Sequence, residues 1–307
     1  MRDAEHLAAR LRGVLGPVVT TFDARSGEVD RDAFEANLRA HAAAGLRGVV
    51  VAGSTGEAPL LDEAERAVLV ASARSVLPAD RLVIAGAGAE STRTALRLAR
   101  QAAAHGADAI LVVAPHYYGE TAMTQAALAA HYARIADESP VPVVLYNIPK
   151  YMHFALPPAL VRGLAEHANI VGIKDSSGDL ELLTAYLSAQ SASFRVLTGH
   201  AGTFRAALDA GAAGGILAAS LFAPHLSLEV YESVQQGDSG AAARAQERLA
   251  PLGTQIVGAL GVPGVKAALD AVGLAGGAPR APLIPLREAD RERVAALLHA
   301  AAQPVAA

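Results

Sequence analysis

The sequence predicts an α/β chain closed into a (β/α)₈ TIM barrel with a C-terminal helical extension. Short β-rich apolar runs alternate with helix-compatible segments from residue 14 to residue 219. The runs are continuously apolar instead of alternating, as strands covered on both faces must be. They number eight at even spacing, which favours closure over a doubly wound open sheet. A length of 307 residues suits one such unit, since barrels commonly reach about 250 residues as one domain.

In order, the predicted strands are 14–22, 48–53, 81–86, 109–115, 142–148, 170–176, 194–200 and 214–219. Helical patterns follow at 30–44, 61–77, 91–105, 124–138 and 179–190. Asp62-Glu63 and Asp179 with Glu181 put acids in first turns, where they complement the helix dipole. Gly45, Gly106 and Gly211 stand where C-terminal caps belong. Beyond residue 219 the pattern is helical only, through 229–236, 240–257, 263–273 and 287–301. Gly261-Val262-Pro263-Gly264 and residues 276–282 read as connectors. The expected organisation is a barrel core over 1–225, with the last barrel helix and the extension over 226–307 in the same structural unit.

Composition narrows the function classes. Apolar residues make up 52% and charged residues 18%, enough to bury a large core. A net charge of −4 with mixed signs argues against nucleic acid or an anionic membrane as partner. No cysteine occurs, which excludes disulfides, thiolate nucleophiles and iron–sulfur ligation, and fits a reducing cytoplasm. The N-terminus has no apolar signal-peptide core, and its acids are unlike a transit peptide. No stretch approaches the ~18 uninterrupted apolar residues of a membrane span. The expectation is a cytoplasmic chain with a small-molecule substrate.

Three residues in the chain are lysine, and Lys174 lies within the apolar run Ile170-Val171-Gly172-Ile173-Lys174-Asp175. Twenty-three arginines carry the rest of the positive charge. An ammonium at the end of a buried strand is costly to desolvate, and loss of water lowers its pKa. Such an amine attacks carbonyl carbon and forms a Schiff base. The structural alternative is a partly buried lysine paired with Asp175 or another acid.

Barrel chemistry sits on the C-terminal ends of the strands. Those ends carry Gly53-Ser54-Thr55-Gly56-Glu57, Pro115-His116-Tyr117-Tyr118, Tyr146-Asn147-Ile148-Pro149-Lys150-Tyr151, Lys174, and Thr198-Gly199-His200. Iminium chemistry needs an acid for the departing hydroxyl and a base for the adjacent carbon, and tyrosine can serve as both. The Gly-Ser-Thr-Gly turn offers backbone N–H groups and hydroxyls suited to a carboxylate. His116, His153 and His200 lie near strand ends, but no His-x-His or His-x-x-x-His pair occurs, so no metal is expected. No Gly-x-Gly-x-x-Gly opens a first helix, so no nicotinamide or flavin cofactor is expected either. Lys266 follows a turn and is expected on a solvated helix; Lys150 follows Pro149 in a loop with no strand to desolvate it. A barrel that binds a 2-oxo acid without turnover is the non-enzymatic alternative.

Together these motifs resemble the dihydrodipicolinate synthase / N-acetylneuraminate lyase family of class I, pyruvate-handling aldolases. The resemblance rests on Gly53-Ser54-Thr55-Gly56-Glu57, Tyr117, Tyr146-Asn147-Ile148-Pro149 and Gly172-Ile173-Lys174, and it spans essentially the whole chain. It implies that Lys174 forms the imine with pyruvate or a related 2-oxo acid and that Tyr146 is the acid/base. Ser54 and Tyr117 would complete a proton relay, Tyr117 reaching across a subunit interface of a homotetramer built as a dimer of dimers. The Ser54 and Thr55 amides, beside Gly53, would hold the carboxylate, while Gly199 and Ile216 would line the pocket. Where dihydrodipicolinate synthases keep an arginine five residues after the strand-5 tyrosine, this chain has Tyr151, with Lys150 beside it. Further stretches, among them Lys174-Asp175-Ser176-Ser177-Gly178-Asp179 and Gly261-Val262-Pro263-Gly264-Val265-Lys266, look most like 4-hydroxy-2-oxoglutarate aldolases. The expected reaction is therefore 4-hydroxy-2-oxoglutarate-type cleavage, with condensation of pyruvate and aspartate semialdehyde as the alternative.

Overall fold

Eight parallel strands close on themselves in sequence order, β8 pairing back onto β1. They are β1 (Gly13–Pro17), β2 (Gly48–Val51), β3 (Leu82–Gly86), β4 (Ala109–Val113), β5 (Val143–Asn147), β6 (Ile170–Asp175), β7 (Arg195–Thr198) and β8 (Gly214–Ile216). The computed structural model describes residues 2–303; Met1 and the last four residues of the predicted 226–307 extension lie outside them. Nearly every strand residue is buried, because side chains pointing inward fill the barrel and those pointing outward meet the helices.

The strands are shorter than their apolar runs suggested. After β2 the backbone of Ala52 turns left-handed (φ 51°), so the 48–53 run ends early and the chain swings across the barrel mouth. The 14–22 run leaves the barrel at Pro17, and its last residue forms an isolated antiparallel bridge, Phe22 to Val29. The predicted caps hold: Gly45, Gly106 and Gly211 sit at φ 96°, 93° and 111°. Asp62 and Glu65 form a reciprocal capping box on helix Glu63–Val76, and Asp179 caps Leu180–Leu187.

Two parts of the helical layer escaped the sequence pattern. Helix Arg2–Arg10 precedes the barrel and buries Leu7 and Ala8, and Leu11 just beyond it lies against Gly172 near the start of β6. The predicted 240–257 helix runs as α-helix only over Ser239–Pro251 and then widens to a π-helix over Leu252–Gly258. It continues into Ala259–Ala271, where Gly261 (φ 61°, ψ −147°) kinks the axis at the connector that the sequence places at Gly261-Val262-Pro263-Gly264. By length and composition Ser239–Ala271 would suffice to cross a membrane. Instead the kink breaks it, and Leu249, Leu252, Ile256 and Val265 are buried in the barrel's hydrophobic core. That kink brings Gly261, Val262 and Val265 over the C-terminal mouth of the barrel.

Candidate active site

At that mouth lies a pocket of about 120 Å³, lined by Ser54, Thr55, Tyr146, Lys150, Tyr151, Lys174, Gly199 and Ile216 among others. It opens into a wider cleft of about 1330 Å³ that also reaches Gly53. Residues from the ends of β2, β5, β6 and β7 thus meet as strand position predicted, and Ile216 at the end of β8 joins them as the resemblance implied. His200 lines the pocket as well, its Nδ1 3.2 Å from the Thr203 hydroxyl.

Lys174 is the next-to-last residue of β6 and is 5% exposed. Parallel pairing sets Tyr146 directly beside it, and the ammonium stands 4.3 Å from the centre of the Tyr146 ring. The ring's negative face favours a cation there without neutralising it. The structural alternative, an ion pair with Asp175, does not form. Successive strand residues point to opposite faces, so Asp175 turns away from Lys174. Its carboxylate instead accepts from Asn147 Nδ2 at 2.7 Å and from the Ser177 hydroxyl at 2.7 Å. Burial raises the Asp175 pKa, opposed by those hydrogen bonds. No carboxylate lies within 4.0 Å of the Lys174 amine among the described residues.

Sequence reasoning assigned no role to Asn147, which ties β5 to β6. Besides donating to Asp175, it accepts from the Leu156 N–H at 2.9 Å. A polar residue at the last position of a fully buried strand was the available signal.

Gly199 is required by packing. A Cβ at this position would stand 1.9 Å from the Ser176 hydroxyl and 2.8 Å from Lys174 Cε. Any side chain there would compete with the lysine for its own volume.

In the Gly53–Gly56 turn, the N–H groups of Ser54 and Thr55 donate to no protein acceptor among the described residues. Backbone donors left unpaired next to a pocket suit an anionic ligand. The turn is held from behind: Thr20 donates to the Gly56 carbonyl at 2.7 Å, and the Glu57 N–H donates to Ser54 O at 3.2 Å.

The expected relay is not assembled within one chain. Ser54 and Tyr146 share the pocket without a hydrogen bond between them. Tyr117 is 80% exposed, packs edge-on against Tyr118 at 5.2 Å, and lines neither the pocket nor the cleft. Glu90 accepts from the N–H groups of His116 and Tyr117 and fixes that loop.

Lys150 and Tyr151 form the rim, in the short helix Pro149–Met152 instead of the expected loop. The Lys150 ammonium donates to the Gly258 carbonyl at 2.7 Å, and burial pushes the Tyr151 hydroxyl pKa up. Among the described residues, no three His, Asp or Glu side chains converge as metal ligands.

Lys266 corrects a prediction. It was expected on a solvated face, but it is 1% exposed and ion-paired to Glu57 at 2.6 Å. It also donates to the Ala278 carbonyl at 2.9 Å and lies 4.6 Å from the Phe22 ring centre. Burial lowers its pKa, and Glu57 opposes the shift. The turn before Lys266 misled the reading: the helix resumes after the kink with this face inward.

A closed parallel barrel with a buried, uncompensated lysine beside a tyrosine at its C-terminal mouth has the architecture of a class I, Schiff-base aldolase. A model of the Dihydrodipicolinate synthetase family matches residues 10–301. A 4-hydroxy-tetrahydrodipicolinate synthase of Stenotrophomonas maltophilia is 39% identical over 277 residues, covering 90% of this chain and 91% of the relative. Another, 4-hydroxy-tetrahydrodipicolinate synthase 1 of Streptomyces coelicolor, is 38% identical over 289 residues, 92% of this chain and 90% of the relative. The chloride-inhibited dihydrodipicolinate synthase of Acinetobacter baumannii, solved with pyruvate, superposes with a TM-score of 0.89 at 33% identity, covering 95% of this chain and 99% of that one. The chain belongs to the dihydrodipicolinate synthetase family and is a lyase of that class.

Proposed function

We propose that this enzyme joins the carbonyl carbon of pyruvate, or a related 2-oxo acid, to Lys174 as an imine and makes or breaks the adjacent carbon–carbon bond. One observation carries the reading: Lys174, buried and free of any carboxylate, shares a pocket of about 120 Å³ with Tyr146 and the unpaired Ser54 and Thr55 amides. The amides hold the carboxylate and present the ketone to the lysine. The neutral amine attacks, Tyr146 protonates the departing hydroxyl, and water leaves as the imine forms. Removal of a proton from the neighbouring carbon then yields the enamine that attacks an aldehyde.

The names of the relatives support aspartate semialdehyde as that aldehyde, in preference to the 4-hydroxy-2-oxoglutarate-type cleavage expected from the sequence. The second reading keeps one observation in its favour. Tyr151 stands where a synthase would keep its arginine, and Lys150, the nearest substitute cation, is bonded to the Gly258 carbonyl. The assembly reading is a homotetramer: Tyr117 and Tyr118, 80% and 73% exposed, are apolar surface that a second copy would cover while completing the relay.

Borohydride reduction with pyruvate, followed by peptide mass analysis, tests the mechanism. An adduct on Lys174 is expected; none, or one on Lys150 or Lys266, refutes it. Parallel assays of pyruvate condensation with aspartate semialdehyde and of pyruvate release from 4-hydroxy-2-oxoglutarate decide the substrate. Activity in the second alone overturns the synthase reading, and an adduct with no aldehyde or cleavable substrate turned over favours a binding-only barrel. Light scattering at the mass of one chain would refute the tetramer.

A further inference from the structure

We propose that the buried Glu57–Lys266 ion pair is a positioning device that sets the carboxylate-binding turn against the kinked C-terminal helix across the pocket. The inference rests on the reading of the Ser54 and Thr55 amides as carboxylate donors.

Glu57 directly follows the Gly53–Gly56 turn and has left-handed backbone (φ 59°), a conformation that a side chain other than glycine adopts only when its surroundings enforce it. Those surroundings are the pair. One carboxylate oxygen meets the Lys266 ammonium at 2.6 Å, and the other accepts from the Arg280 N–H at 2.7 Å. Both charged side chains are sealed from solvent, at 0% and 1% exposure. A pair this deep adds little net stability over an apolar pair of the same shape, so its presence calls for a role beyond stability.

Its location supplies that role. On one side Glu57 donates its N–H to Ser54 O, so its backbone sets the orientation of the turn. On the other, Lys266 belongs to the helix Ala259–Ala271, whose Gly261, Val262 and Val265 line the pocket. Arg280 adds a second fastening. It donates through its guanidinium to Glu65 and the Leu60 carbonyl after β2 and to the Gly27 carbonyl after β1, clamping the 276–282 connector to both regions. The β2 turn and the extension, more than 200 residues apart in sequence, thereby keep one spacing. Lys266 lines neither the pocket nor the cleft, which removes it as a second nucleophile.

The test is a charge-deletion set, Glu57→Gln, Lys266→Met and the double variant. Read out are thermal melting, kcat, KM for pyruvate, and the pyruvate concentration that half-saturates borohydride trapping on Lys174. The double variant keeps the shape and leaves no orphan charge, so it is expected to fold. Its half-saturating pyruvate concentration should rise about tenfold or more with kcat changed by less than about threefold. A folded double variant with wild-type half-saturation shows the pair to be structural only and overturns the proposal. If the deletion variants fail to fold, Lys266→Arg keeps the charge but alters the contact. It should fold and still raise the half-saturation; wild-type values there refute positioning. Failure of wild type itself to give a Lys174 adduct is a separate result, which removes the imine reading on which the proposal stands.

Discussion

Replacing Gly199 by alanine tests the active-site geometry most directly. The new methyl group would stand 1.9 Å from the Ser176 hydroxyl and 2.8 Å from Lys174 Cε. Ser176 can rotate its hydroxyl aside, but the chain carrying Lys174 must also yield roughly half an ångström to restore ordinary contact. Overpacking a filled site costs about 1–3 kcal/mol, so a lower melting temperature is expected. The larger effect should be chemical. Displacements approaching 1 Å can cost about 100-fold in rate, so the borohydride-trapping rate and kcat/KM should both fall by about 10- to 100-fold. The variant should retain the fold by circular dichroism. A folded Gly199→Ala protein with wild-type trapping would refute the claim that this glycine makes room for the reactive lysine.

Tyr146→Phe should keep the fold and lower kcat/KM by about 100-fold or more, with the loss in formation and breakdown of the imine; pre-steady-state trapping at saturating pyruvate checks this. Asn147→Ala removes a hydrogen bond to buried Asp175 and another from the Leu156 N–H. It should destabilise the protein by about 2 kcal/mol in urea unfolding, and an unchanged midpoint would contradict the tie between β5 and β6. His41 and His131 are held neutral by burial, with pKa values lowered from 6.5 to about 4. The unfolded chain therefore takes up protons first as pH falls: their contribution is complete above pH 6.5 and is lost between 6.5 and 4, by up to roughly 3 kcal/mol per ring. His41→Leu should flatten the fall in melting temperature across that window, and an unaltered slope would contradict the assignment.

Much of the architecture was legible without coordinates, and for a local reason. Continuous apolar runs alternating with capped helical patterns are properties of ten to twenty neighbouring residues, and eight of them in order leave few topologies. The strand-end rule then brought Lys174, Tyr146, Ser54 and Gly199 to one face, where the structure has them. The failures follow from the same locality. Lys266 was read as solvated because nothing near it in sequence announces Glu57, and the π-helix at 252–258 looks like ordinary helix in composition, whereas the kink at Gly261 falls in the connector read from its glycines and proline. Tyr117 carries a motif yet stands exposed and away from the pocket, since a motif fixes a residue's place in the chain and not what packs around it.

By itself, then, the sequence determined the barrel, the face that carries the pocket and the lysine on its sixth strand, because periodicity and strand order are written in neighbouring residues. Only the tertiary structure decided which charges are compensated. It left Lys174 beside an aromatic ring with no acid and buried Lys266 against one, because whether a lysine meets a carboxylate depends on side chains that the closed barrel brings together from distant parts of the chain.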